Sequence, residues 1–82
     1  MDLDDIRPII ADVLRVDPRE ITGRSRLSVE LGADSLDLYQ IMVKVEEKFD
    51  IHVSELEFRR IYTAGDIVRL IKKTGRRQQN DQ

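Results

Sequence analysis

Residues 34–49, DSLDLYQIMVKVEEKF, carry the clearest structural signal in this chain of 82 residues. Asp34 is followed three residues later by Asp37, a spacing that lets each carboxylate accept a backbone N–H of the other residue at the start of a helix. The apolar side chains that follow recur at the period of an α-helix and form one stripe: Leu38, Ile41, Met42, Val45 and Phe49. The stretch predicts a long helix from Ser35 to about Phe49, with Asp34 as its N-cap.

A second apolar sector lies on another side of the same helix and consists of Leu36, Tyr39 and Val43. Three acidic residues lie near it, further along the helix: Glu46, Glu47 and Asp50. A helix that only packs against a core does not need this sector, and an apolar patch with an acidic rim is typical of a partner surface. Two interpretations stay open from these residues: a partner surface, or a sector that the preceding loop covers.

The flanking segments predict three more helices. The first 14 residues carry an apolar stripe at helical spacing: Leu3, Ile6, Ile9, Ile10, Val13 and Leu14. The candidate caps near its start are acidic: Asp2, Asp4 and Asp5. Pro8 falls in the first turn if this helix starts at Asp4 or Asp5, whereas a start at Asp2 predicts a bend near Pro8. The pair Asp17-Pro18 is expected to end the segment.

Two capping signals follow the long helix. Ser54 predicts a short helix near residues 56–60, and Thr63 predicts a last helix that stops near Gly75. Between the first two helices, residues 16–34 show no clear period. We expect this stretch to be an irregular loop held to the core by its spaced apolar residues, which are Ile21, Leu27 and Leu31.

The fold class that follows is all-α, a four-helix bundle with three longer helices, one short helix and a long first loop. Residues 1–75 are expected to form one domain and residues 76–82 a polar, frayed tail. The chain has no cysteine and one histidine, which argues against a disulfide framework, a thiolate nucleophile and a multi-histidine metal site. We expect no metal, no transmembrane segment and a cytoplasmic setting.

Charge is unevenly distributed along the chain. The formal net charge is -2, but residues 1–57 sum to -7 and residues 58–82 sum to +5. A chain polarised in this way can offer different surfaces to different partners. The basic end alone is weak evidence for nucleic-acid binding, because the rest of the chain would repel phosphates and no reading helix is apparent.

Residues 31–37, LGADSLD, resemble the attachment motif of acyl carrier proteins. The similarity continues through residues 45–49, VEEKF, and residues 62–66, YTAGD, and covers roughly residues 6–73. The resemblance implies a four-helix bundle of the acyl-carrier type. It also implies that Ser35 carries 4'-phosphopantetheine through a phosphodiester, and that a separate phosphopantetheinyl transferase installs this group from coenzyme A.

The family pattern also implies roles for the residues around Ser35. Asp34 and Leu36 flank the attachment serine, and Asp34 and Asp37 help the transferase to recognise it. The apolar partner face is implied to be Leu36, Tyr39, Val43 and Val53. The acidic residues Glu46, Glu47 and Asp50 are implied to meet basic patches on client enzymes.

The resemblance implies a monomeric carrier of acyl groups, served by acyl-transferring and condensing enzymes, rather than an enzyme. The residues agree, because nothing in the sequence indicates a cleft with a converging acid, base and nucleophile. We expect acyl intermediates to be held as thioesters for fatty-acid or specialised lipid or polyketide synthesis. The alternatives are an aminoacyl or aryl carrier, and a helical adaptor that never bears a cofactor.

Several positions depart from the family pattern. Gln40 stands where glutamate is usual, Lys44 where a small residue is common, and Ser54 where proline is frequent. The short third helix is normally acidic but reads FRR at residues 58–60, and residues 69–77 are unusually basic. These departures favour a carrier with a dedicated set of partners.

Overall fold

The computed structural model describes the backbone of residues 2–80 and the side chains of residues 2–74. It contains four α-helices: α1 (Leu3–Leu14), α2 (Ser35–Phe49), α3 (Glu55–Arg59) and α4 (Ala64–Asn80). Three helices are long, one is short, and a long connection joins α1 to α2. No strand occurs within residues 2–80, where the only β-type pairing is an isolated bridge between Arg26 and Thr63. The predicted all-α four-helix bundle is confirmed.

Every long helix contributes one apolar stripe to a common core. The largest fully buried side chains of the helices are Ile6 and Ile10 of α1, Ile41 and Val45 of α2, and Ile67 of α4. Leu38 and Phe49 are partly buried and pack against this core, so the stripe predicted on α2 is the one that faces inward. Because aliphatic side chains dominate, the core is held by burial of apolar area rather than by ring packing.

The first loop is held to the core at the three expected residues: Ile21 and Leu27 are buried, and Leu31 is partly buried and packs against the core. The loop is also joined to the α3–α4 connection through backbone hydrogen bonds. The amide of Leu27 donates to the carbonyl of Tyr62 at 2.9 Å, and the amide of Ala64 donates to the carbonyl of Ser25 at 3.1 Å. These bonds pair backbone groups that would be costly to bury without a partner, so the irregular segment can lie against the bundle.

The expectation that residues 16–34 lack regular structure was wrong at one point. Pro18–Glu20 forms a 3₁₀ helix with Asp17 as its N-cap. Proline suits the first position of such a turn because its fixed φ is preorganised and its missing N–H would have no partner there. The pair Asp17-Pro18 therefore starts an element. α1 has already ended at Leu14, where Arg15 adopts a left-handed conformation with φ 57°.

α1 begins at Leu3, with Asp2 as its N-cap and a capping box completed by Asp5. Pro8 thus lies inside the helix and not in its first turn. This start lies between the two starts considered from the sequence, and the bend expected with a start at Asp2 stays a prediction. Pro8 cannot donate the hydrogen bond that other residues donate inside a helix. The capping box of Asp2 and Asp5 and the burial of Ile6 and Ile10 compensate for that loss.

Two helix bounds differ from the sequence expectations. α3 spans Glu55–Arg59, one residue earlier than expected, because Ser54 caps it directly. The expectation that the last helix stops near Gly75 was wrong, because α4 continues to Asn80. A glycine inside a helix costs about 1 kcal/mol without forbidding it, and the arginines and glutamines that follow are good helix formers. The division into a domain and a frayed tail stays a prediction, and residues 81–82 lie outside the described residues.

Candidate functional site

The N-terminus of α2 holds the serine of the candidate site in a fixed backbone frame. The side chain of Asp34 accepts a hydrogen bond from the amide of Asp37 at 2.8 Å, and the side chain of Asp37 accepts one from the amide of Asp34 at 3.2 Å. This reciprocal pair confirms the predicted capping box. Ser35 is the first residue of the helix, and it is exposed.

The loop before Ser35 closes on itself and fixes where α2 starts. The amide of Ala33 donates to the carbonyl of Leu27 at 2.9 Å, and Ala33 is buried. Gly32 has φ 77°, a left-handed conformation that side chains other than glycine seldom adopt. The glycine of the LGADSLD stretch is therefore needed for the turn that brings Asp34 and Ser35 to the surface.

Two backbone amides at this helix end have no hydrogen-bond partner among the residues that the structure describes. The N–H groups of Ser35 and Leu36 donate no hydrogen bond to any residue in the described range 2–80. Free N–H groups and the positive end of the helix dipole both favour an anion. The exposed hydroxyl of Ser35 therefore fits a phosphate ester, with two N–H groups close to the added charge.

The second apolar sector of α2 is exposed at its first two positions. Leu36 keeps 64% and Tyr39 keeps 61% of its surface accessible. The interpretation in which the preceding loop covers these residues is thereby contradicted. Val43 and Val53 are only partly buried, and they complete an apolar face with Leu36 and Tyr39.

A groove of about 510 Å³ runs between α2 and α3 beside this face. Tyr39, Val43, Val53 and Phe58 line its apolar part, together with Met42 at its base. The rings of Tyr39 and Phe58 meet edge to face, with centroids 6.5 Å apart. Sequence reasoning missed Phe58 as a lining residue, because a five-residue helix has no periodicity that shows which side faces its neighbour.

The three acidic residues assigned to one partner face have different surroundings. Glu47 is exposed on α2, and Asp50 is the C-cap of that helix with φ 53°. Glu46 is half-buried and lines the groove, where its carboxylate accepts a hydrogen bond from the amide of Val53 at 2.8 Å. The structure thus leaves Glu47 on the outer surface and turns Glu46 inward.

Three further apolar residues are exposed and were not predicted to be so: Val29, Leu56 and Tyr62. They lie in the first loop, on α3 and in the α3–α4 connection, where side-chain periodicity is too short to read. Among the described side chains no cluster of three or more metal-ligating residues occurs. Over the same part of the chain no helix is long and apolar enough to cross a bilayer.

Comparison with known proteins agrees with this site. A family model described as a phosphopantetheine attachment site matches residues 4–71. The chain belongs to the acyl carrier protein family. The model spans every helix that builds the site, and 4'-phosphopantetheine is the cofactor of that domain.

Several relatives named acyl carrier protein are similar to this chain over most of its length. The one from Wolinella succinogenes is 41% identical over 69 residues, which are 84% of this chain and 91% of the relative. The one from Chlamydia felis is 42% identical over 69 residues, 84% of this chain and 88% of the relative. A solved structure from Mycobacterium tuberculosis, described as an acyl carrier protein, has a TM-score of 0.76 and 38% identity, covering 80% of this chain and 88% of that one.

Family membership confirms three expectations from the sequence. The resemblance was correct, the bundle is of the acyl-carrier type, and the chain is a carrier rather than an enzyme. Membership also implies acyl groups as cargo and enzymes as partners of this acyl carrier protein.

Proposed function

We propose that this acyl carrier protein holds acyl intermediates as thioesters on a 4'-phosphopantetheine arm attached to Ser35. It passes them between enzymes of fatty-acid synthesis or of a specialised lipid or polyketide pathway. One observation supports the proposal most strongly: an exposed serine at the first position of α2, beside two backbone N–H groups that bond to none of the described residues.

The chemistry of the arm complements what this chain lacks. The arm ends in a thiol, and the chain has no cysteine that could form a thioester itself. The protein holds the arm at Ser35, shelters the cargo and presents both to partners. The groove between α2 and α3 offers apolar lining for an acyl chain, with Met42 and Phe58 among its walls.

The apolar face of Leu36, Tyr39, Val43 and Val53 is the proposed contact surface for the transferase and for acyl-transferring and condensing enzymes. Glu47 and Asp50 lie on the same side of α2 and would meet basic patches on those enzymes, with Asp34 and Asp37 beside the attachment point. Exposed charges of this kind raise the encounter rate more than the affinity, which suits a monomeric carrier that must leave each enzyme quickly. A cytoplasmic setting stays a prediction from the sequence.

We assign the carrier to a specialised pathway because the charges on α2 and α3, which face the partner enzymes, differ from the family pattern. Gln40 and Lys44 lie on α2, and Arg59 and Arg60 lie at the end of α3, all of them exposed. Enzymes that recognise a strongly acidic carrier lose favourable contacts at these positions.

Exchange into a reconstituted general fatty-acid synthase tests the pathway assignment. We expect turnover at least about tenfold below that with the synthase's own carrier, and partial recovery in a Gln40→Glu, Lys44→Ala double variant. Full turnover with the unchanged chain would contradict the assignment to a specialised pathway.

The choice between acyl and aminoacyl cargo needs a separate test. Ala33 and Asp34 precede the serine, where carriers of aminoacyl groups often have Gly-His or Gly-Gly. The protein that carries the 4'-phosphopantetheine arm is offered to acyl-activating and to amino-acid-activating enzymes. We expect it to accept acyl groups only. Exclusive aminoacylation would overturn the proposed cargo.

A further inference from the structure

Glu46 accepts three backbone hydrogen bonds from the connection between α2 and α3. Its backbone carbonyl accepts hydrogen bonds from the amides of Asp50 and Ile51 at the end of α2. Its side-chain oxygen Oε2 accepts a further bond from the amide of Val53 at 2.8 Å, seven residues along the chain. The same oxygen lies 3.4 Å from Nδ1 of His52.

This side-chain bond spans the rim of the groove. Glu46, His52 and Val53 all line the groove between α2 and α3. The bond therefore joins α2 to the segment that leads into α3. α3 has only five residues, which is too short for a helix to be stable on its own. The position of α3 relative to α2 therefore depends on tertiary contacts, and this bond is one of them.

The carboxylate of Glu46 is sheltered in a way that its neighbour is not. Its side chain keeps 28% of its surface accessible, whereas Glu47 is exposed on the outside of α2. In such partly buried surroundings, losing this acceptor would leave the amide of Val53 without a hydrogen bond, at a cost in free energy. The acidic residue that the sequence suggested for docking thus has an internal partner.

We propose that Glu46 is a positioning residue that holds Val53 over the groove, and so determines how well the groove shelters an acyl cargo. The part that concerns cargo rests on the proposed function. The part that concerns the bond to Val53 depends on the geometry alone. The role belongs to the acceptor oxygen at that distance and not to the negative charge.

Two conservative variants separate these contributions. Glu46→Gln keeps an acceptor at the same reach and removes the charge, whereas Glu46→Asp keeps the charge and shortens the side chain by one methylene. Glu47→Asp makes the same chemical change one residue away, on the exposed surface, and controls for the lower helix propensity of aspartate.

The first measurement is amide hydrogen exchange at Val53 in the full chain. We expect Glu46→Asp to accelerate exchange by about tenfold or more, with Glu46→Gln and Glu47→Asp close to the parent protein. Unchanged exchange in Glu46→Asp, or equal acceleration in Glu47→Asp, would overturn the role of the bond.

The second measurement is the lifetime of a thioester. The parent and variants are loaded from octanoyl-coenzyme A by a phosphopantetheinyl transferase and exposed to hydroxylamine. We expect cleavage several-fold faster in Glu46→Asp than in the parent or in Glu46→Gln. Faster exchange at Val53 with an unchanged lifetime would overturn the role in sheltering cargo.

The mass of the parent protein after the loading reaction shows separately whether the proposed function fails. If no octanoyl arm adds to the parent protein, the mass does not change, and the proposed function and the cargo part of this inference fail together. The role of the bond is still decided by exchange at Val53, which needs no loading.

Discussion

At the scale of single residues, Gly65 and Gly23 show how closely the first loop approaches α4. The amide of Gly65 donates to the carbonyl of Gly23 at 2.9 Å. A Cβ atom at position 65 would lie 2.7 Å from that carbonyl oxygen, whereas a Cβ at position 23 would meet nothing within 4 Å. The absence of a side chain at residue 65 is therefore what permits the contact.

Gly65→Ala should destabilise the protein by about 1–3 kcal/mol, because the clashing atom belongs to the backbone and cannot rotate away. Gly23→Ala is the matched control and should change stability by less than about 1 kcal/mol. Urea unfolding followed by circular dichroism measures both. Equal stability of the two variants would contradict the close approach.

Contacts of single residues could be predicted from the sequence only where the two partners are close together in the chain. Asp34 and Asp37 could be paired correctly because the two residues are three apart and share one turn. The bond from Val53 to Glu46 was not predicted, since it depends on where the connection after α2 folds back. The contact between Gly65 and Gly23 joins residues 42 apart and has no local signal at all.

At the scale of elements, the caps decide where the helices begin. Asp34→Ala removes the acceptor for the amide of Asp37 and should lower the free energy of unfolding by about 1 kcal/mol. Asp34→Asn keeps an acceptor oxygen and should lose only a few tenths of that amount. Thermal or urea unfolding distinguishes them, and equal losses in both variants would show that the cap bond contributes nothing.

The start of α4 predicts a dependence of stability on pH. Burial raises the pKa of Asp66, but bonds from the amides of Tyr62 and Thr63, from the Arg69 guanidinium and from the Thr63 hydroxyl together hold that pKa below its ordinary value. Folding thus favours the charged carboxylate. Its contribution is complete above the ordinary carboxyl pKa of about 3.9 and is lost as pH falls through the lower pKa of the folded state.

Asp66→Asn should be less stable than the parent protein by about 1 kcal/mol at pH 7, because the charged acceptor is lost. The difference should shrink steadily below about pH 4, where the parent carboxylate becomes protonated as well. Urea unfolding at a series of pH values measures it. A difference that stays constant down to about pH 2 would show that Asp66 does not titrate as its contacts require.

The elements were predictable where a cap and a stripe occur together. α2 has both, and its bounds were predicted correctly. The 3₁₀ helix at Pro18–Glu20 has neither a stripe nor enough residues to show one. The end of α4 was misplaced because Gly75 was interpreted as a stop signal, although glycine ends a helix only where the chain also turns left-handed.

At the scale of the whole molecule, the bundle separates two tasks. The buried stripes of α1, α2 and α4 and the anchors of the first loop make the core. The outer side of α2 is left free to carry an exposed serine and an apolar face. Composition and periodicity predicted the core and the second apolar sector of α2, whereas the arm on Ser35 was suggested by the LGADSLD stretch and its resemblance to a known family.

Intact mass spectrometry decides whether Ser35 carries the arm. The full chain is incubated with coenzyme A and a phosphopantetheinyl transferase that modifies a known carrier in a parallel reaction. We expect a gain of about 340 Da in the parent protein and none in Ser35→Ala. An unshifted parent, or the same gain in Ser35→Ala, would contradict it.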